Sequence, residues 1–400
     1  MNWNRPLSLN FVAVLFLILI SFSQAVIAGQ LTVGFAEVDI TPRASVDVVP
    51  TIAAGDKLVS QVSDKLKIKA LVLSDEKHRI AIISADLIWI QPKLQQSIIQ
   101  ASKEQWGFDH VLLSVTHTHS GVYHLSKSKS LKRNFLEALQ HAQTQLVPVK
   151  IGSSSVQINE SYNRIQNKNG KAEMLWRNKS RTASLPSEQS LEVIHFKKLN
   201  DNPYLTLVSY NAHPVITMDL NNVVVSADYP GEISKYLQSH NLGDSMFLLG
   251  AAGDVNPYDA DSKPLSRALE NSRKLGTILG NKVREVIKTI NDFKSASEFH
   301  FSTVSFSNPS AEIGVLKFTN EIALAHFPGE YFSDFAFRLK QASAYRTTLF
   351  VSMTNGYLGY VPTNQALKIG GYGTRAKEGV AKPNIGKEHV NFAIKQLSEK

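Results

Sequence analysis

Val111-Leu112-Leu113-Ser114-Val115-Thr116-His117-Thr118-His119-Ser120-Gly121 places a short apolar run directly in front of a His-x-His pair. Runs of this kind are what strands buried on both faces require. The texture recurs at residues 68–73 and 80–85, residues 31–38 roughly alternate, and residues 92–105 read as a helix ahead of the quoted run. Strand, helix, strand predicts a mixed α/β arrangement. Further strands are expected at 191–196, 205–210 and 246–249. Amphipathic helices are expected at 128–144 and 266–290, the second with Leu269, Ile278, Val283, Val286 and Ile287 at helical spacing. The polar stretch 167–190 reads as an irregular loop or hairpin. No repeat, low-complexity tract or Pro/Gly/Ser linker divides the chain. The expected fold class is therefore α/β, mixed β-sheets flanked by helices in one large catalytic-type domain.

Composition narrows the chemistry. At 43% hydrophobic and 19% charged residues the chain is not disordered. It contains no cysteine, which excludes disulfide frameworks, iron–sulfur clusters, thiolate zinc sites, cysteine nucleophiles and a lipid-modified amino-terminal cysteine. Any metal must be held by histidine, carboxylate or another oxygen donor. The net charge of +9 fits an ordinary basic surface. The basic run at residues 127–133 reads as a solvated helix face that could also meet anionic lipid headgroups, and not as a nucleic-acid site.

Residues 1–28 have the layout of a secretory signal peptide. Arg5 precedes an apolar core at 11–20, and small residues close the segment around Ala25, Val26 and Ala28. The apolar stretch is shorter than the ~20 residues that span a bilayer. The expectation is an exported protein, periplasmic or secreted in a bacterium, whose mature domain covers 29–400.

Three positions carry recognisable metal-site chemistry. On extended backbone His117 and His119 would face one side at a strand's C-terminal end, where α/β sheets place ligand sites; two solvent-facing loop histidines fit the same motif. His213 also ends a strand, and Pro214 stops the pairing there; a satisfied core histidine is the alternative. Glu330 follows the strand-like run 321–325 and reads as the start of an aromatic-rich helix, where a carboxylate also complements the helix dipole. Two imidazoles and a carboxylate are a sufficient donor set for zinc with a coordination position left open.

These residues lie in ordered patches that resemble the neutral/alkaline non-lysosomal ceramidases, specifically their amino-terminal zinc amidase domain. The patches are Val33-Gly34 with Asp39-Ile40-Thr41-Pro42, Thr116 to Gly121, Asn211-Ala212-His213-Pro214, Gly253-Asp254-Val255-Asn256-Pro257, Pro328-Gly329-Glu330, and Asn355-Gly356-Tyr357-Leu358-Gly359-Tyr360-Val361 with Tyr372 beyond. The resemblance implies one Zn2+ per chain held by His117, His213, Glu330 and Tyr360, the last a phenolate-type ligand. It places His119 beside the metal as a proton shuttle, and Arg164 and Tyr372 in the active site. Without the resemblance Arg164 reads as a surface arginine and the tyrosines as core or edge aromatics.

The chain departs from the family pattern at three points. Asn256 stands where the family has a serine, Val122-Tyr123 replaces a small proline-containing turn, and the carboxy-terminal immunoglobulin-like domain is not expected. The implied activity is that of an exported zinc amidohydrolase of lipid metabolism. It would cleave the C–N bond of an N-acyl lipid such as ceramide, a sphingolipid, or a related amide, with peripheral contact to a membrane surface. A zinc hydrolase of a different acyl amide or ester, and a non-catalytic exported binding protein on the same fold, are the alternatives.

Overall fold

In the computed structural model, described for residues 29–51, 55–75, 77–121, 129–182, 184–219, 222–260, 262–295, 299–307 and 310–398, the unbroken apolar runs become strands covered on both faces. Eight strands, among them Val147–Gln157, which was not expected, form one mixed sheet in the order Asp244–Leu249, Pro203–Tyr210, Ser190–Lys198, Val147–Gln157, Thr32–Asp39, Lys67–Ser74, Arg79–Ala85, His110–Val115. The outermost pair at each edge is parallel and the pairs between are antiparallel. The signal-peptide segment and the Val122-Tyr123 turn lie outside the described residues.

Alternation within each strand sends neighbouring residues to different cores. Val111 and Leu113 join a core with Ala81, Ile83, Phe247 and Leu249, whereas Leu112 joins Ile80, Ile82, Met246 and Leu248 on the opposite face. The first core is closed by helices, through Phe135 and Leu139 of Lys129–Gln143, Tyr229 and Ile233 of Asp228–Ser239, and Leu279 and Val283 of Leu265–Thr289. The second is closed by a four-stranded sheet, His300–Ser307, Ser310–Lys317, Ile322–His326 and Thr347–Val351. That sheet in turn buries Ile313, Val315 and Phe350 against the helices Ser333–Ala342 and Ile385–Leu397. The layers are thus helix, sheet, sheet, helix. Each fully buried Leu, Ile, Val or Phe adds about 1.5–3 kcal/mol to this arrangement.

The large sheet curls until its edges meet. Ser84 Oγ, on the strand next to one edge, donates to the carbonyl of Phe247 on the opposite edge strand at 2.7 Å. The segment after Thr347–Val351 laces the same edges: Ser352 N donates to Leu249 O at 2.7 Å and Asn355 N to Leu113 O at 3.1 Å. Strand ends far apart in the sheet order are thereby brought to one place.

Two local expectations are corrected. Glu330 does not open a helix; it lies in the two-residue strand Glu330–Tyr331, paired in parallel with Tyr360–Val361, and the helix begins at Ser333. Glu330 N donates to Gly359 O at 2.9 Å as part of that pairing. Nor do His117 and His119 share a strand face. The strand stops at Val115, and His117 has a left-handed backbone with φ 63°. The polar stretch 167–190 includes most of a hairpin, Ile165–Lys168 with Lys171–Met174.

Candidate active site

Backbone bonds build the His117 turn. Thr116 N and His117 N donate to Ala85 O and Leu87 O, and His119 N donates to Pro214 O at 3.0 Å. The last bond ties the His-x-His segment to the one that carries His213. His213 N in turn donates to Val255 O at 3.1 Å. On the third side Gly253 N donates to Tyr331 O, and a Cβ at position 253 would stand 2.4 Å from Glu330 O. Only glycine lets the Gly253-Asp254 segment approach the Glu330 strand this closely.

The result is a convergence of three imidazoles and one carboxylate. Ring centroids lie 5.0 Å apart for His117 and His119, 5.1 Å for His117 and His213, and 5.6 Å for His119 and His213. One nitrogen from each comes within 4.8 Å of the others. Glu330 Oε2 stands 3.0 Å from His213 Nε2 and 3.4 Å from His117 Nε2. Both ring systems are oriented from behind, since His117 Nδ1 meets Ile88 O at 2.5 Å and His213 Nδ1 meets Val255 O at 3.2 Å. An Nδ1–H donated to a carbonyl leaves the Nε2 lone pair free, the tautomer a metal ligand needs. His119 differs, because both of its ring nitrogens are buried without a partner.

The electrostatics suit a cation. Burial alone would raise the Glu330 carboxyl, but His117 and His213 beside it hold it well below the usual range. Burial lowers His213 to about 4 against the pull of Glu330, and burial followed by the neighbouring imidazoles holds His119 far below its ordinary value. Ionised carboxylate and neutral imidazoles are the ligand forms of these side chains.

Arg164 and the tyrosines form a second wall. Arg164 N donates to Asp254 O at 2.7 Å, and Nη2 donates to Gly253 O at 2.6 Å. Its guanidinium lies 5.5 Å from the Tyr360 ring, 5.2 Å from Tyr372 and 5.4 Å from Trp176. Burial works against the arginine's charge, but Tyr360, Glu330 and Asp254 together raise its pKa. Tyr360 stacks over His213 at 6.5 Å, and burial together with the Glu330 carboxylate pushes its phenol far up. A phenolate there needs a cation beside it. Tyr372 is half-buried and meets Tyr360 edge-on at 5.2 Å.

The structure brings His117, His119, His213 and Glu330 into one cluster and sets Arg164, Tyr360 and Tyr372 along one side of it. Asn256 lies in a short strand opposite Tyr162, next to the Val255 whose carbonyl holds His213. Two supporting residues escaped the sequence reading. Tyr357 donates to Glu330 Oε1 at 2.9 Å. Asp254 accepts from Asn163 Nδ2 at 2.6 Å and Ser333 N at 2.7 Å, and burial pushes its carboxyl up to about 6. Both lie inside motifs quoted above, but nothing in their spacing assigns them a partner.

No family model matches the sequence. Among solved structures, the chain is similar to a ceramidase complexed with C2, with a TM-score of 0.74 at 15% identity over 92% of this chain and 75% of that one. It is likewise similar to neutral ceramidase from Pseudomonas aeruginosa, with a TM-score of 0.72 at 15% identity over 92% of this chain and 74% of the other. At that identity the likeness shows the fold, and the fold is that of the ceramidases.

Proposed function

We propose that the protein is an exported, zinc-dependent amidohydrolase that cleaves the C–N bond of an N-acyl lipid amide, ceramide or a close chemical relative. One observation carries the reading. His117 and His213 are pinned through Nδ1 to backbone carbonyls while their Nε2 atoms converge on the ionised Glu330, with His117 Nε2 buried and unpartnered. A buried imidazole nitrogen without a partner is costly unless an ion completes it. His117, His213 and Glu330 would hold the ion, with Tyr360 at its side. A zinc ion there would supply Lewis-acid polarisation of a carbonyl and would lower the pKa of a water to about 7.

The remaining work falls to the chain's own groups. His119, held below its ordinary value by burial, carries no fixed hydrogen bond at either nitrogen, and its ring is the one placed to take a proton and return it to the leaving amine. Arg164, held in place by Gly253 O and three aromatic rings, supplies fixed positive charge for a developing oxyanion, and Tyr372 adds a phenolic donor. No serine is required, and Asn256 is compatible with this chemistry.

The acyl-lipid reading is supported by an apolar groove of about 660 Å³ lined by Val304, Ile313, Leu358, Val380, Ile385 and Phe392. Gly379, also in its lining, bridges to Tyr360. Elemental analysis combined with a panel of N-acyl amides, esters and peptides tests the proposal. Zinc-dependent release of fatty acid from the amides is expected. Cleavage of esters or peptides alone would reject the amidase reading, and no turnover of any substrate by zinc-loaded protein would favour a binding role.

A further inference from the structure

A second group of ligand-type side chains lies outside the candidate active site. His110 opens the strand His110–Val115, His326 closes Ile322–His326, and Glu312 lies on Ser310–Lys317. The two imidazoles are buried with ring centroids 5.3 Å apart, and together with the Glu312 carboxylate they bring one ligand atom each to within 4.8 Å of one another. His326 Nε2 is buried without a hydrogen-bond partner. Its Nδ1 meets Thr354 Oγ1 at 3.2 Å, and with the hydroxyl oxygen accepting, the Nε2 lone pair stays free. Glu312 Oε1 accepts from Asn355 Nδ2 at 2.8 Å, whereas Oε2 accepts a long bond from Ser305 Oγ at 3.5 Å.

Gly314 faces His326 in the strand register, and a Cβ there would lie 2.2 Å from His326 Nε2. Glycine at this position admits the imidazole itself, whose Nε2 edge lies against the Gly314 backbone. We propose that His110, Glu312 and His326 form a second metal site, distinct from the His117–His213–Glu330 cluster, that takes a divalent ion of the zinc class. Three atoms at this spacing all lie within about 2.8 Å of some common point, so a shift of under ~1 Å per ligand reaches the 2.0–2.2 Å of zinc sites with histidine and carboxylate ligands. Thr354 and Asn355 orient the imidazole and the carboxylate from behind, as supporting groups do in metal sites. His110 belongs to the large sheet and the other two ligands to the small one. The ion staples the two sheets together.

The test counts zinc per chain by elemental analysis after dialysis of the zinc-loaded mature protein, and needs no substrate. Two equivalents are expected in the unaltered protein. A His110→Gln/His326→Gln variant and a His213→Ala/Glu330→Ala variant should each keep one. Thr354→Val should weaken the second equivalent by about 10- to 100-fold and leave the first unchanged. A single equivalent that disappears in the His213→Ala/Glu330→Ala variant overturns the proposal, as does retention of two in the double glutamine variant. Should that variant fail to fold, Glu312→Gln on a half-buried side chain decides instead: loss of one equivalent supports the site and two tightly held ions overturn it. A failed amidase assay leaves this count untouched.

Discussion

Tyr357 donates its phenolic proton to one oxygen of Glu330 at 2.9 Å while the other oxygen of that carboxylate lies 3.0 Å from His213 Nε2. The phenol fixes which oxygen is offered to the cluster, and a stack on Trp89 at 5.5 Å fixes the phenol's ring. Tyr357→Phe keeps the stack and removes the bond. Zinc affinity, measured by competition with a chelator, is expected to fall about 10- to 100-fold with the fold unchanged. Unaltered affinity would show that Glu330 needs no such support.

The neighbouring histidines are assigned different work. His117→Ala removes a side chain whose Nδ1 is pinned to Ile88 O, and it should lose zinc and activity together. His119→Ala removes a ring with no fixed bond and should retain zinc while turnover falls about 100- to 10,000-fold at saturating metal. Since all three imidazoles converge, the reverse result is the informative one: a metal-free His119→Ala beside a fully loaded His117→Ala would exchange the two roles.

The strands at Ile80 to Ala85 and Val111 to Val115 were legible because the large sheet is covered on both faces and they are apolar at nearly every position, whereas Val147–Gln157, broken by Gly152 and three serines, gave no such signal. The helix Asp228–Ser239 was not legible, because its first turn carries Pro230 and Gly231, which in sequence look like a turn although proline is tolerated there. The pairing of Glu330 with Tyr360 was illegible for another reason. A two-residue strand has no periodicity, and its partner is set by Gly359 and by the approach of Gly253, both tertiary effects. The donor residues of the cluster could be named from the sequence. Their meeting depends on the curl that brings Ser84 to Phe247, and residue spacing carries no signal for that.

Arg164 offers a test of catalysis apart from metal binding. Its fork donates to Gly253 O and sits among Trp176, Tyr360 and Tyr372, so lysine cannot reproduce it despite equal charge. Arg164→Lys should keep its zinc and lose about 100- to 1,000-fold in kcat. Unchanged turnover per bound zinc would place the arginine in a purely structural role.

The pH dependence of stability should report a buried network centred on Lys340. Lys340 Nζ lies 2.6 Å from Glu188 Oε2 and also bonds Glu192 and Ser190, while Glu188 binds Asn211 in the segment that leads to His213. Burial raises both carboxyls. Lys340 outweighs it at Glu188, which stays below its usual value, but Glu192 remains pushed up to about 7, with the Glu188 charge adding to burial. A carboxyl whose folded pKa exceeds its unfolded value of 4.5 binds protons more tightly in the folded state. Its contribution is fully present below pH 4.5 and is lost as pH rises through about 7. Glu192→Gln cannot ionise, so that loss should vanish. Denaturant unfolding at pH 5 and pH 8 should show the variant gaining on the unaltered chain by up to about 3 kcal/mol at the higher pH. Parallel curves for the two proteins would mean that Lys340 holds both glutamates ionised throughout, and that Glu192 does not titrate in this range.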